Sequence, residues 1–222
     1  MNDFILRDIT PKNLSGYVAR QLCIYFPDDR IISADTIAPY MNRALERTHL
    51  CFAGIEKKKF RDGAQIMFNY LHPDHYAMFL YLLSNTVSRL DRQNPLAFRL
   101  FYLNKVLHGL DAYHDTELPE IFQFMHPIGS ILGQATYGNY LSIHQGCTIG
   151  CDEHGAFPVI GDHVVLYAGA SVIGRSHIGD NVVVSANTMI LNYDVPPDTM
   201  VLSNQQLEFR DNTRHVLERR FK

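Results

Sequence analysis

The stretch FPVIGDHVVLYAGASVIGRSHIGDNVVVSANTMIL, residues 157–191, decides the fold. An apolar residue returns in it at every sixth position: Ile160, Leu166, Val172, Ile178, Val184 and Ile190. Four residues after the first five stand Val164, Ala170, Ser176, Val182 and Thr188, most of them small. A period of six is neither that of a helix nor simple strand alternation. It fits a short strand and a tight turn, repeated as the sides of a triangular coil, with the apolar residue and its partner turned inward. Strands of an ordinary β-sandwich would recur at about eight to twelve residues and vary in length.

Working outward, the same period runs upstream through Ile131, Tyr137, Ile143 and Ile149, with Ala135, Leu141 and Cys147 as partners. Ile149 to Ile160 breaks the phase, so CDEHGAFP (151–158) leaves the coil as a loop, and loops on rigid scaffolds are where function concentrates. Downstream, NYDVPPDTM ends the repeat, because the Pro-Pro pair cannot continue it. The hexads predict a parallel β-helix of about three coils. The segment after residue 200, LEFRDNTRHVLERRFK, reads as a helical or extended tail.

Before residue 110 the period changes. Residues 34–52, 73–90 and 95–110 carry apolar residues at three-to-four spacing, and PKNLSGYVARQLCIYF adds a further helix. Ser33 or Asp35 and Asp74 suit N-caps, and Pro95 suits a first helical turn. Lys57–Lys59 reads as a solvated turn. The expected organisation is α+β: a helical region over 1–110, a β-helix over 111–200 and a tail over 201–222.

With 222 residues, 46% hydrophobic and 19% charged, the chain has the composition of a globular protein. Its net charge of −3 provides no basic surplus for phosphate backbones, which excludes nucleic-acid binding. No apolar run reaches the roughly eighteen residues that span a bilayer. The charged N-terminus lacks a signal pattern, so a cytoplasmic location is expected. The four cysteines show no framework spacing and read as reduced thiols.

The segment HPIGSILGQATYGNYLSIHQGCTIG (126–150), the loop, and the coil from FPVIGDHVVLYAGASVIG onward resemble the serine acetyltransferase branch of the hexapeptide-repeat acyltransferases. That family joins a helical N-terminal domain to a left-handed parallel β-helix. Its catalytic histidine opens a segment H-A-T-G-I-V-V-G-E-T-A before an S-V-T-L-G-G turn, as His126 opens HPIGSILGQA before GCTIG. Its catalytic aspartate begins D-I-H-P-A-A fifteen residues earlier, as Asp111 begins DAYHDTELPE. The resemblance thus implies His126 as general base and Asp111 as its orienting carboxylate, with acetyl-CoA as co-substrate. A hydroxyl attacks a thioester once its proton is removed, and imidazole suits that step near pH 7. A carboxylate on the second ring nitrogen holds the tautomer and stabilises the imidazolium.

The family also places small residues along the pantetheine arm, which here fall at Gly150, Ala168 and Ala186. Asp74 in PDHYAMFLY matches a segment D-K-Y-S-T-P-L-L and would hold an acceptor amine. His144 and His154, near the loop, are further candidates for the acceptor pocket. Two departures bear on the acceptor. Met125 precedes His126 where the family has Asp, and Ala156-Phe157 stand where it has Arg-His. An Arg fork is the usual grip on a carboxylate, so Phe157 favours a sugar or another hydroxylated metabolite over serine. Serine O-acetylation proper, amino-sugar N-acetylation and a non-catalytic scaffold are the alternatives. His144, Cys147, Cys151 and His154 superficially form a zinc pattern, but Cys147 occupies an inward position, so no metal is expected. Because the flanks of a β-helix need covering and the family builds its sites between subunits, a homotrimer or dimer of trimers is expected.

Overall fold

The structure, a computed structural model, describes residues 3–204 and 206–222. The N-terminal region contains α1 (Pro11–Tyr25), α2 (Ala34–Ala53), α3 (Pro73–Leu90) and α4 (Pro95–His108). Their starts follow capping chemistry. Thr10 accepts the N–H of Asn13 ahead of Pro11, and Asn94 accepts that of Leu96 ahead of Pro95. Ser33 caps α2, its N–H donating to the Thr36 hydroxyl, while Asp35 falls within the first turn. The cap of α3 is His72, not Asp74: Pro73 takes the first helical position and puts Asp74 inside the first turn. From Asp74 to Ser88 every residue of α3 is buried, so it is the central helix of the region.

A small sheet that the apolar periodicity does not give joins the helices: β1 (Phe4–Leu6), β2 (Arg61–Asp62) and β3 (Gln65–Phe68). Strand β3 is central, parallel to β1 and antiparallel to β2.

The β-helix then winds through β4 (Asp111–Ala112), β5 (Phe122–Met125), β6 (Ile131–Leu132), β7 (Thr136–Tyr137), β8 (Leu141–His144), β9 (Thr148–Gly150), β10 (Val159–Ile160), β11 (Val165–Leu166), β12 (Ser171–Ile173), β13 (His177–Ile178), β14 (Val183–Val184), β15 (Met189–Leu191) and β16 (Thr199–Asn204). These strands make three parallel sheets, ordered β4-β6-β9-β12-β15, β5-β8-β11-β14-β16 and β7-β10-β13. The first sheet has one strand per turn and therefore counts five coils, not three. The extra coils lie at the ends, where Asp111–Met125 and Val195–Asn204 complete turns without a hexad.

Each sheet contributes one inward column: Ala112, Leu132, Ile149, Val172 and Ile190; Tyr137, Ile160 and Ile178; Phe124, Ile143, Leu166, Val184 and Val201. The hexad phase is corrected at one point. Ile131 faces outward at 48% exposure, whereas Leu132, at 1%, fills the column. Neighbouring strand residues point to opposite faces, and the step from Leu132 to Tyr137 is five residues instead of the hexad's six. The partner positions Cys147, Val164, Ala170, Ser176, Val182 and Thr188 are all fully buried.

The tail is ordered. Strand β17 (Gln206–Asp211) pairs antiparallel with β16, and the short helix α5 (Val216–Arg220) folds back onto the body. Val216 and Phe221 are fully buried.

Candidate functional site

His126 follows β5 directly and opens the edge of the prism that leads into β6. It takes a left-handed backbone conformation, φ 54°, as several other non-glycine residues of this chain do. Asp74 ties this corner to α3. Its Oδ1 accepts the backbone N–H of His126 at 3.1 Å, and its Oδ2 accepts Lys59 Nζ at 2.8 Å. Asp74 is almost completely buried at the first turn of α3, where the helix N-terminus favours a negative charge. The same Oδ1 lies 3.9 Å from His126 Nδ1, while the imidazole is 76% exposed and open to a ligand.

The surroundings hold the neighbouring histidines neutral. Burial, offset in part by Asp74, keeps His72 below the ordinary imidazole range. Burial, then the neighbouring His72 and Lys59, pushes His75 down to about 3, and its Nδ1 accepts the Asn69 N–H. His144 lies beside Met125 through strand pairing and stacks on Tyr167 at 4.9 Å; burial, then Arg220, lowers it to about 4. His144 is thus a neutral wall of the site near pH 7.

Asp111 stands at the start of β4, on the far flank of the edge that His126 opens. Its carboxylate accepts Lys105 Nζ at 2.5 Å, from the last turn of α4. Among the described residues no hydrogen bond or ion pair joins Asp111 to His126, so the carboxylate in contact with His126 is that of Asp74.

Strand registers align His126, Gln145, Ala168 and Ala186 along this one edge, coil above coil. At ~4.8 Å per coil, Ala168 and Ala186 lie roughly 10 and 14 Å from the level of His126. Gly150 belongs to the next edge, and a side chain added there would meet nothing within 4 Å. The loop 151–158 leaves from that second edge. Asp152 organises it by accepting the N–H groups of His154 and Ala156, and it presents His154 and Phe157 to solvent. One chain therefore brings together His126, Asp74, His144, Ala168 and Ala186, but leaves His154, Phe157 and Gly150 on another edge.

Two groups escaped the sequence reading. Lys59 is half-buried on Asp74 rather than part of a solvated turn. Arg220 lies over the Tyr167 ring, 4.4 Å from its centroid. No spacing signals either, because both arrive from remote segments. The Cys147 thiol turns into the coil toward the carbonyls of Leu166 and Tyr167. Among the described residues, no three His, Cys, Asp or Glu side chains are grouped to hold a metal ion, and no helix is long and apolar enough to cross a membrane.

Residues 157–192 match the family described as bacterial transferase hexapeptide (six repeats). The serine acetyltransferase of Synechococcus elongatus is 29% identical over 147 residues, covering 64% of this chain and 58% of that protein. That of Helicobacter pylori is 27% identical over 141 residues, covering 61% of this chain and 80% of its own. Among solved structures, Neisseria gonorrhoeae serine acetyltransferase in complex with serine superimposes with a TM-score of 0.68 at 24% identity, over 91% of this chain and 85% of that one. A serine acetyltransferase in complex with CoA gives 0.65 at 20% identity, over 89% and 83%. The chain thus carries the repeat of the hexapeptide transferases, shares the fold of these structures, and resembles serine acetyltransferases in sequence over more than half its length.

Proposed function

We propose that this chain is an acetyl-CoA-dependent O-acetyltransferase acting on a hydroxylated amino acid of the L-serine kind. The observation that carries the reading is the exposed imidazole of His126, on a backbone held by the buried Asp74 carboxylate, at the foot of the edge lined by Ala168 and Ala186. The thioester arm lies along that edge, where small residues allow close approach to main-chain groups. His126 takes the acceptor's hydroxyl proton as the oxygen attacks the thioester carbonyl, then returns it to the departing thiol. Asp74 acts as a positioning residue and stabilises the imidazolium. For Asp111 the argument is its fifteen-residue interval from His126, and its place on the same edge is compatible with that role.

His154 and Phe157 reach His126 only if a second chain presents its loop. We therefore include a homotrimer in the proposal. Exposed Ile131, Met189 and Leu191 on the outer face of the five-stranded sheet are apolar surface such an assembly would cover.

A second reading, a sugar hydroxyl as acceptor, is favoured by one observation: Ala156 and an exposed Phe157 stand where an Arg-His pair would grip an amino acid. Thiol release from acetyl-CoA, measured against amino acids, amino sugars and nucleotide sugars, separates the two. The main reading expects L-serine or a close analogue at a kcat/KM of about 10⁴ M⁻¹s⁻¹ or more. A sugar outperforming every amino acid would replace it with the second, and no acceptor-dependent release would overturn both.

A further inference from the structure

Beside His126, side chains from five parts of the chain converge on one column. Met125 pairs with His144, and His144 stacks on Tyr167 one coil further along. The Arg220 guanidinium covers the Tyr167 ring. Helix α5, which carries it, is clamped in place: the Gln123 side-chain amide donates to the Arg220 carbonyl at 2.6 Å, and the Glu56 N–H donates to the Phe221 carbonyl. That second clamp sets Lys57 next to Arg220. Lys59 completes the group, its Nζ 3.4 Å from Met125 Sδ.

Three cations therefore surround the column, and only Lys59 has a carboxylate, that of Asp74. Among the described residues neither Lys57 nor Arg220 forms an ion pair, and Arg220 Nε is buried without an acceptor. The crowding is felt: Lys57 is held down to about 8, by burial first and then by Arg220 and Lys59. Half-buried like charges without a counter-ion repel one another, and an anion placed among them relieves that repulsion.

We propose that Arg220 and Lys57 form an anion-binding subsite for the acceptor, so that the molecule acetylated carries a carboxylate or phosphate beside its reacting hydroxyl. The inference rests on the acetyl-transfer reading and narrows it. The planar fork of Arg220 supplies paired hydrogen bonds to such a group, and Lys57 adds a point charge. The tail is on this view a part of the acceptor site and not an appendage. Negative charge has one other source, the phosphates of CoA, and the test must separate the two.

The wild type, Arg220→Gln, Arg220→Lys and Lys57→Gln are compared on acceptor pairs that differ only in the anion: L-serine against L-serinamide, and galacturonate against galacturonamide. Arg220→Gln should raise KM for the anionic member about 10- to 100-fold, the range for losing a charged hydrogen bond. Its kcat and its KM for acetyl-CoA should stay close to wild type. Arg220→Lys should recover part of the loss, and the neutral member should be insensitive. A wild type that prefers the neutral members would overturn the proposal, as would an Arg220→Gln effect confined to acetyl-CoA and absent with acetyl-pantetheine. Titration with inorganic phosphate, followed on the His144 ring resonances, gives an arm independent of catalysis. Saturable shifts in the wild type, at least about 10-fold weaker in Arg220→Gln, support the subsite, and identical titrations contradict it. Absence of transfer to any acceptor would refute the acetyl-transfer reading, while the phosphate arm would still decide the subsite.

Discussion

From Val159 to Leu191 the β-helix repeats itself without interruption, whereas its first coil, from Asp111 to Ser130, does not. In the repeating coils every side holds a short strand, and the inward columns run without a gap. In the first coil one side is missing: residues 113–120 replace it with a loop tied to α3, which rejoins the next coil at Ile121, whose carbonyl accepts the Tyr140 N–H. The Tyr81 hydroxyl donates to the Thr116 carbonyl at 2.7 Å and accepts the Leu118 N–H at 2.9 Å. This irregular coil is where α3 delivers Asp74 to His126. Repetition supplies a rigid frame in which each coil stabilises its neighbours. The candidate chemistry sits where the repeat is interrupted and a second structural unit can reach in.

The contrast can be broken most severely at the frame. Gly138, Gly161 and Gly179 stack where successive coils approach too closely for any side chain, and a Cβ on Gly138 would overlap the Gly161 carbonyl. Because backbone and not a flexible side chain is in the way, Gly138→Ala should cost about 3 kcal/mol or more, read as loss of the cooperative melt or a large fall in its midpoint. Leu132→Ala, which empties an inward position, should cost about 2–5 kcal/mol in urea unfolding.

Acidification should act next. Unfolded histidine titrates near 6.5, while His75 in the fold is held down to about 3 by burial. Between these values the unfolded chain binds more protons. The stability His75 contributes is thus complete above about pH 6.5 and is lost progressively as pH falls toward 3, with about 2 kcal/mol gone by pH 5. His108 and His144, both lowered to about 4 by burial, act in the same sense. Urea midpoints at pH 7 and pH 5 measure the slope, and His75→Phe should flatten it. The smallest effect belongs to Ile131→Ala, which should change the stability of the single chain's fold by no more than about 0.5 kcal/mol and act only on the assembly that covers it. Equal costs at residues 131 and 132 would contradict the outward placement of Ile131.

How far the sequence discloses these features follows from their physics. The coils from Ile160 to Ile190 are legible because one side chain per side must fill the same interior. The phase fails at Ile131 because a shortened step moves the inward residue to Leu132, and both residues are apolar. The end coils carry no hexad and could not be counted. As candidates, His126 was legible through its motif and interval and Asp74 through a short motif. Their contact was not, since 52 residues separate them and only the packing of α3 brings them together. Lys59 and Arg220 gave no pattern at all, because their roles depend wholly on where distant backbone clamps put them.

The central claim is that His126 removes the proton of the acceptor's hydroxyl. Its most direct test is the rate of thiol release from acetyl-CoA, with acceptor present, by the wild type and by His126→Ala, alongside the binding of CoA to each. The account predicts a fall of about 10²–10⁴ in kcat/KM, with CoA binding and thermal stability unchanged. A His126→Ala protein that releases thiol at the wild-type rate would contradict it.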